Sequence, residues 1–205
     1  MSELQVIECD PRQVALVIVD MQKEGCARHG EGVRRIIKPI QEILKRFRTV
    51  GSPIILVQSV RTPDQAEFTV FGNSLRLIEG TPGVEIIPEL APLPHEFIIR
   101  KRTHDSFYRT EMEKLLETIG LKPARDAVVV TGIGLNNCVY HAVIGFHIRD
   151  YFVLVPEDCV HASRSEGGAF ALGQFRSSAY RYNVRILRSE SQIRFKAKGE
   201  ELCKS

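Results

Sequence analysis

The stretch from Ala127 to Val139 places a cysteine where it can react. It reads Ala-Val-Val-Val-Thr-Gly-Ile-Gly-Leu-Asn-Asn-Cys-Val, and its β-branched run followed by a glycine-spaced turn predicts a buried parallel strand that leads into a helix opening at Cys138. The positive end of a helix dipole favours a thiolate over a thiol. The sequence therefore indicates Cys138 as a nucleophile, although a cysteine considered alone is more often a small buried hydrophobe.

Two further residues that could do chemistry end predicted strands. Asp20 follows an apolar run, and Lys101 closes a shorter one. Because the carboxyl ends of parallel strands lie on one edge of a sheet, both side chains are expected beside Cys138. Each has a plainer interpretation, since Asp20 could cap the next segment and Lys101 could belong to a solvated basic run.

A thiol, a carboxylate and an ammonium group at one sheet edge favour nucleophilic attack on a carbonyl. Asp20 is the expected base for the thiol proton, and Lys101 is the cation that favours the thiolate. The backbone N–H groups of Gly134 and Cys138 are the expected oxyanion donors. The predicted reaction is hydrolysis of a small non-peptide amide or carbamoyl compound through a cysteine thioester.

The pattern of the whole chain supplies the elements that would position these groups. The predicted strands cover residues 14–20, 53–60, 97–101, 128–131, 151–155 and 184–187. The predicted helices cover about 30–50, 110–119, the segment after Cys138 and 165–182, with a short one near 74–77 in a long irregular stretch. This alternation predicts a doubly wound, six-stranded, mostly parallel α/β sheet, Rossmann-like, with helices on both faces. Residues 1–190 are expected to form a single domain and residues 191–205 a charged tail.

Composition narrows the classes of protein. The chain has 205 residues and a net charge of +3 with scattered basic residues, so no nucleic-acid partner is expected. No apolar run reaches the roughly 18 residues of a membrane span, and the first residues carry acids instead of a signal pattern. Five cysteines without a Cys-x-x-Cys motif predict free thiols and a cytoplasmic location.

Three blocks of the sequence resemble the signature blocks of the isochorismatase-like cysteine hydrolases. They are Val-Ile-Val-Asp-Met-Gln (17–22), Ile-Arg-Lys-Arg-Thr-His-Asp-Ser-Phe (99–107) and Thr-Gly-Ile-Gly-Leu-Asn-Asn-Cys-Val (131–139). The resemblance spans about residues 14 to 188 and implies a catalytic triad of Asp20, Lys101 and Cys138. It also implies a cis peptide between Ile133 and Gly134, and assembly as a homo-oligomer, either a dimer or a tetramer.

Departures from the family bear on metal and substrate. Metal-binding relatives carry an Asp and two His in the loop after the second strand, whereas residues 58–64 read Gln-Ser-Val-Arg-Thr-Pro-Asp. No metal and no cofactor are expected, and nicotinamide is not the expected substrate. Asn136 and Asn137 flank the nucleophile where the pattern differs, so both are candidates for setting specificity.

Three more residues are assigned to the substrate pocket. By the resemblance, Phe107 lies where the family places an aromatic ring against the substrate, although it could equally pack in the core. Arg61 could clamp a substrate carboxylate bidentately or lie at the surface. Gln22 is assigned beside Asp20, which it is expected to support.

The sequence is also compatible with other functions. Relatives that cleave a vinyl ether need the Asp but not the thiol, so a vinyl-ether hydrolase is the main alternative. The pattern Gly132-x-Gly134-x-x-Asn137, with Glu157 further on, partly matches a dinucleotide-binding motif but lacks its third glycine. A catalytically silent relative that serves assembly or binding is a third interpretation, and the three filled triad positions argue against it.

Overall fold

The computed structural model describes residues 6–196 and contains a central sheet in which every strand pair is parallel. Its strands, in chain order, are β2 (Val14–Val19), β3 (Ile54–Ser59), β4 (Phe97–Lys101), β5 (Ala127–Ile133), β6 (Phe152–Pro156) and β8 (Val184–Leu187). They lie in the spatial order β4-β3-β2-β5-β6-β8. The two-residue β7 (Val160–His161) pairs with the end of β5. A separate parallel pair joins β1 (Ile7–Cys9) to β9 (Ile193–Phe195).

Helices cover both faces of this sheet. They are α1 (Lys23–His29), α2 (Glu31–Val50), α3 (Ala66–Thr69), α4 (Met112–Thr118), α5 (Cys138–His147) and α6 (Ser165–Arg176). Along β2 the side chains alternate, so that Leu16 packs in the apolar cluster with α2 and Val17 packs in the cluster with α4, α5 and α6. This two-sided burial explains why the central strands read as unbroken apolar runs. The predicted doubly wound α/β fold is confirmed.

The structure differs from the sequence prediction at several places, and the helix predicted over 165–182 ends at Arg176. Residues 193–195 form β9 instead of a solvated tail, because Ile193 is fully buried and Phe195 packs edge-on against Phe47 with 5.0 Å between ring centroids. Residues 197–205 of the predicted tail lie outside the described part. The short helix expected near 74–77 is not formed, and α3 lies earlier, at Ala66–Thr69. Helix α1 was not predicted.

Helix α2 is continuous through Pro39 and ends at Gly51, whose left-handed backbone (φ 74°) stops it. Across residues 6–196, none of the helices is both long and apolar enough to cross a membrane.

Candidate active site

The carboxyl ends of three neighbouring strands and the start of a helix meet at one edge of the sheet. Asp20 follows β2, Ser59 ends β3 and Lys101 ends β4. Ser59 and Lys101 are paired in register across β3 and β4. Cys138 is the first residue of α5, which follows β5. The structure therefore brings Asp20, Lys101 and Cys138 together, as the strand-end argument predicted.

Lys101 and Asp20 form a buried ion pair. The Nζ atom of Lys101, a residue only 1% exposed, lies 3.0 Å from Asp20 Oδ2. Nζ also donates to Ser59 Oγ at 2.8 Å and to the Thr103 carbonyl at 3.1 Å, so each ammonium proton has an acceptor. Burial is the largest single influence and lowers the pKa of Lys101, but the Asp20 carboxylate, Cys138 and the hydrogen bonds to both together raise that pKa above its usual value. Lys101 is thus held as a cation inside the protein, in contact with Asp20.

Ser59 completes a closed hydrogen-bond triangle with this pair. Its hydroxyl accepts from Lys101 and donates to Asp20 Oδ1 at 3.0 Å. Gln22 fixes the backbone of Ser59, since its amide donates to the Ser59 carbonyl at 2.8 Å and accepts from the Ser59 N–H at 2.9 Å. Gln22 is fully buried in this role and does not line the cavity described below, so the structure does not place it as a substrate contact.

The surroundings of Cys138 favour the protonated thiol over the thiolate. Burial raises its pKa to about 12, with the Asp20 carboxylate acting in the same direction and Lys101 only partly opposing it. Burial and the neighbouring Asp20 carboxylate thus oppose the thiolate that the helix start is expected to favour. The thiol needs a base at the moment of attack.

His104 contacts the nucleophile directly. Its Nδ1 atom lies 3.3 Å from Cys138 Sγ, and its ring stacks against His141 with 5.9 Å between centroids. Burial, followed by the charge of Lys101, lowers the pKa of His104. A neutral imidazole therefore stands beside the thiol, a contact that the sequence analysis did not assign.

The turn before the nucleophile corrects two expectations. The peptide between Ile133 and Gly134 is trans. The chain turns here because Gly134 adopts a positive φ of 87°, which glycine accepts without strain. The Gly134 N–H donates to the His161 carbonyl at 2.9 Å, because β7 pairs with the end of β5, so it is not free to bind an oxyanion. The Cys138 N–H, at the first position of α5, has no intrahelical acceptor and remains the candidate donor.

A cavity of about 520 Å³ opens onto these groups. Asp20, Cys138, Arg61, Asn136 and Asn137 all line it, so the structure places the last three at the predicted pocket.

Phe107 lies elsewhere. It is 7% exposed and packs edge-on against Phe146 with 4.9 Å between ring centroids, directly over Gly145, where a Cβ would come within 2.5 Å of its ring. Its assignment to the substrate pocket is wrong, and the core alternative is the one that the structure shows.

Sequence reasoning missed several polar residues that line this cavity, among them Ser59, His104, Arg28 and Arg76. Ser59 ends a strand between β2 and β4, so the strand-end rule that found Asp20 and Lys101 could have found it. His104 follows Lys101 by three positions in a bend for which periodicity gives no signal. Arg28 and Arg76 come from α1 and from the irregular stretch after β3.

Metal ligands do not gather at this edge in the described residues. Within residues 6–196, no group of three or more His, Cys, Asp or Glu side chains is arranged to hold a metal ion. The absence of a metal from the working protein stays a prediction.

Comparison with known proteins identifies the family. A family model for the isochorismatase domain matches residues 14–188, so the chain belongs to the isochorismatase family. It is 26% identical over 162 residues to YaaI of Bacillus subtilis, an uncharacterized isochorismatase family protein, and the match covers 77% of this chain and 86% of that protein.

Solved structures show the same fold. N-carbamoylsarcosine amidase from Thermoplasma acidophilum is similar with a TM-score of 0.73 and 26% identity, covering 91% of this chain and 99% of that one. A cysteine hydrolase from Pseudomonas syringae pv. phaseolicola is similar with a TM-score of 0.76 and 21% identity, covering 91% of this chain and 93% of that one. The likeness confirms the isochorismatase-like hydrolase fold of the central sheet and its helices.

Proposed function

We propose that this protein is a cysteine amidohydrolase that cleaves the C–N bond of a small, linear, non-peptide amide or carbamoyl compound through a thioester on Cys138. The observation that carries the proposal is the buried Asp20–Lys101 ion pair beside a cavity-facing thiol at a helix start. The similarity to an N-carbamoylsarcosine amidase, at 26% identity, supports amide chemistry. Neither the reaction nor its geometry calls for a cofactor.

The first half of the reaction would form the thioester. Asp20 takes the proton of the Cys138 thiol as sulfur bonds to the carbonyl carbon. The carbonyl oxygen becomes an oxyanion, which the Cys138 N–H at the start of α5 stabilises. The C–N bond then breaks, and the proton on Asp20 passes to the leaving nitrogen. Lys101 holds Asp20 in place between these transfers through the contact of its Nζ atom with Asp20 Oδ2.

The second half would release the product. A water molecule attacks the thioester carbonyl while Asp20 accepts one of its protons. The C–S bond breaks, and the proton returns from Asp20 to the departing sulfur, which restores the protonated thiol and yields a carboxylic or carbamic acid. Asp20 thus acts alternately as base and acid, a role suited to a carboxylate whose charge is balanced by a neighbouring lysine.

An ammonia-release screen over carbamoyl compounds and simple amides tests the proposal. We expect release from at least one class of compound, and loss of that release in the Cys138→Ala variant. Cys26→Ala is the matched control, because Cys26 is a half-buried thiol on α1 that does not line the cavity. A vinyl-ether hydrolase would use Asp20 without the thiol and would release no ammonia. Absence of ammonia release from every compound, together with cleavage of a vinyl ether that is retained in Cys138→Ala but lost in Asp20→Asn, would replace the amidohydrolase with that alternative.

We further propose that the chain works in the cytoplasm as a homo-oligomer. Cys9, Cys26, Cys138 and Cys159 are free thiols, which supports a reducing compartment. Val70, Phe71 and Leu75 are exposed apolar residues close together in the sequence after α3, and their burial in a second copy would support assembly. Light scattering at several concentrations tests the oligomer, and a monomer at all of them would contradict it.

A further inference from the structure

The cavity next to Cys138 is lined by an excess of positive charge. Its charged lining residues are one carboxylate, Asp20, and three arginines, Arg28, Arg61 and Arg76. Lys101 neutralises Asp20 in the ion pair described above. The three guanidinium groups therefore dominate the electrostatic field in the cavity, and a low-dielectric wall strengthens that field.

Backbone pairing fixes two of these arginines side by side. The Arg61 N–H donates to the Leu77 carbonyl at 2.9 Å, and the Glu79 N–H donates to the Arg61 carbonyl at 2.8 Å. These two hydrogen bonds join residues 77–79, in the irregular stretch after α3, to Arg61 just beyond the end of β3. Arg76, the residue before Leu77, therefore lies at the cavity. Both guanidiniums contact the same oxygen of Glu67, with Arg76 Nη2 at 2.8 Å.

The carboxylates near this cluster do not balance its charge. Burial, then the charge of Arg61 and, less strongly, that of Arg28, hold the pKa of Arg76 below its usual range, although Glu67 opposes them. A second carboxylate, Glu24, accepts from the Leu77 N–H at 2.9 Å, so two negative charges lie near three positive ones, and neither Glu24 nor Glu67 lines the cavity. The arginine cluster therefore keeps a net positive charge that a bound anion would balance.

Arg61 also has a donor that the fold leaves unpaired. The residue is 3% exposed, and its Nε atom is buried with no hydrogen-bond partner among the described residues. A buried N–H without an acceptor is costly, and arginine at such a position is suited to a carboxylate because its planar fork matches the two oxygens.

We propose that Arg61 and Arg76, assisted by Arg28, form a carboxylate-binding subsite that selects amides carrying an acid group on the arm away from the scissile bond. The inference rests on the proposed function for the identity of the scissile bond, but the subsite itself binds an anion whether or not turnover occurs. A carboxylate there would orient the amide carbon towards Cys138, since both groups face the same cavity.

Thermal unfolding with succinate as the probe tests the subsite without relying on catalysis. Butane-1,4-diol serves as the uncharged probe of the same length, and sodium chloride matches the ionic strength. We expect succinate alone to raise the Tm of the wild-type protein with a saturable concentration dependence. Arg61→Gln and Arg76→Gln should each weaken the apparent affinity for succinate about tenfold.

Arg12→Gln is the matched control, because Arg12 is an exposed arginine at the opposite, amino-terminal end of β2 and should leave the succinate response unchanged. Arg76 is only partly buried, so Arg76→Gln gives a reading even if Arg61→Gln fails to fold. An equal Tm shift from succinate and from sodium chloride, or a full response in Arg76→Gln, would overturn the subsite.

Kinetics separates this inference from the proposed function. With any amide substrate found in the screen, Arg76→Gln should raise KM about tenfold for the acid and leave KM for the corresponding methyl ester unchanged. Ammonia release that persists in Cys138→Ala, together with an intact succinate response, would reject the thioester mechanism but keep the subsite. Loss of ammonia release in Cys138→Ala without any succinate response would do the opposite.

Discussion

The Nδ1 atom of His104 lies 3.3 Å from the Sγ atom of Cys138, so the nucleophile has a neutral imidazole as well as the Asp20 carboxylate within reach. The thiol, whose pKa is raised to about 12, is therefore able to donate towards either group. The protonation state of His104 therefore affects the Cys138 thiol, and this effect should appear in the pH dependence of activity.

We expect activity to fall as His104 becomes protonated. Burial, Lys101, Arg61 and His141 all disfavour the protonated ring, and Asp20 alone favours it, so the pKa of His104 lies below the ordinary value of about 6.5. Above that lowered pKa the neutral ring can accept a hydrogen bond from the thiol and hold Sγ beside Asp20, which remains the base; below it, the imidazolium has no free acceptor and the thiol loses this positioning partner. The acid limb of the kcat/KM profile should therefore lie below about pH 6.5.

Replacement of His104 checks the origin of this limb. His104→Gln keeps a polar group near the thiol but cannot titrate, so its profile should extend to lower pH than that of the wild-type protein. His147→Gln replaces a buried histidine that is bonded to Asn183, away from the cavity, and should leave the position of the limb unchanged. An identical acid limb in His104→Gln and the wild-type protein would exclude His104 as its cause.

Lys101→Met should cost both stability and activity. It removes the partner of a buried carboxylate, and breaking a buried pair on one side costs about 3–5 kcal/mol of unfolding free energy. Urea denaturation measures this loss, and Lys114→Met, at an exposed lysine, should change the free energy of unfolding by less than about 0.5 kcal/mol. Equal stabilities of the two variants would show that the Lys101–Asp20 pair is not buried in solution.

Ser59→Ala should reduce kcat about tenfold with a stability loss of only about 1 kcal/mol. The reason is that its hydroxyl bridges Asp20 and Lys101, so its removal loosens Asp20 without removing a charge. Ser59→Thr restores the hydroxyl on a residue suited to a strand and should recover most of the activity. Steady-state kinetics of the wild-type protein, Ser59→Ala and Ser59→Thr measure this recovery. If Ser59→Thr is as slow as Ser59→Ala, the loss of activity comes from altered packing and not from the missing hydroxyl.

Gly132→Ala should unfold the region that holds the site. Gly132 has a φ of +117°, and a Cβ there would lie 2.0 Å from the Val19 carbonyl, immediately before Asp20. We expect a loss of more than about 4 kcal/mol of unfolding free energy, which is exceptional for one methyl group. Gly173→Ala, inside α6 with no atom within 4 Å of the new Cβ, should instead gain about 0.5–1 kcal/mol. Similar midpoints for both variants in urea would contradict the close approach of β2 and β5.

Features that depend on strand ends could be predicted from the sequence. The central strands are buried on both faces, so they read as apolar runs, and a polar residue at the end of such a run falls on the ligand-binding edge. That reasoning located Asp20, Lys101 and Cys138, which the structure brings together. Their catalytic roles stay predictions.

Features that depend on the packing of irregular segments could not be predicted from apolar runs and strand ends. Arg76 reaches the cavity through a backbone bridge at Arg61, for which no periodicity exists in the sequence. The Gly134 N–H is occupied because the two-residue β7 pairs beside it. The high pKa of Cys138 follows mainly from burial. A sequence pattern predicts the burial of a whole strand or helix, but not the burial of one side chain at its end.

The most direct test of the thioester mechanism is the mass of the protein during turnover. A reaction with an amide from the ammonia-release screen is quenched in acid and analysed by intact-mass spectrometry, followed by digestion. We expect a fraction of the wild-type protein to gain the mass of the acyl group, located on the peptide that contains Cys138, and we expect Cys138→Ala to show neither the adduct nor ammonia release. Ammonia release by Cys138→Ala at the wild-type rate would contradict the mechanism.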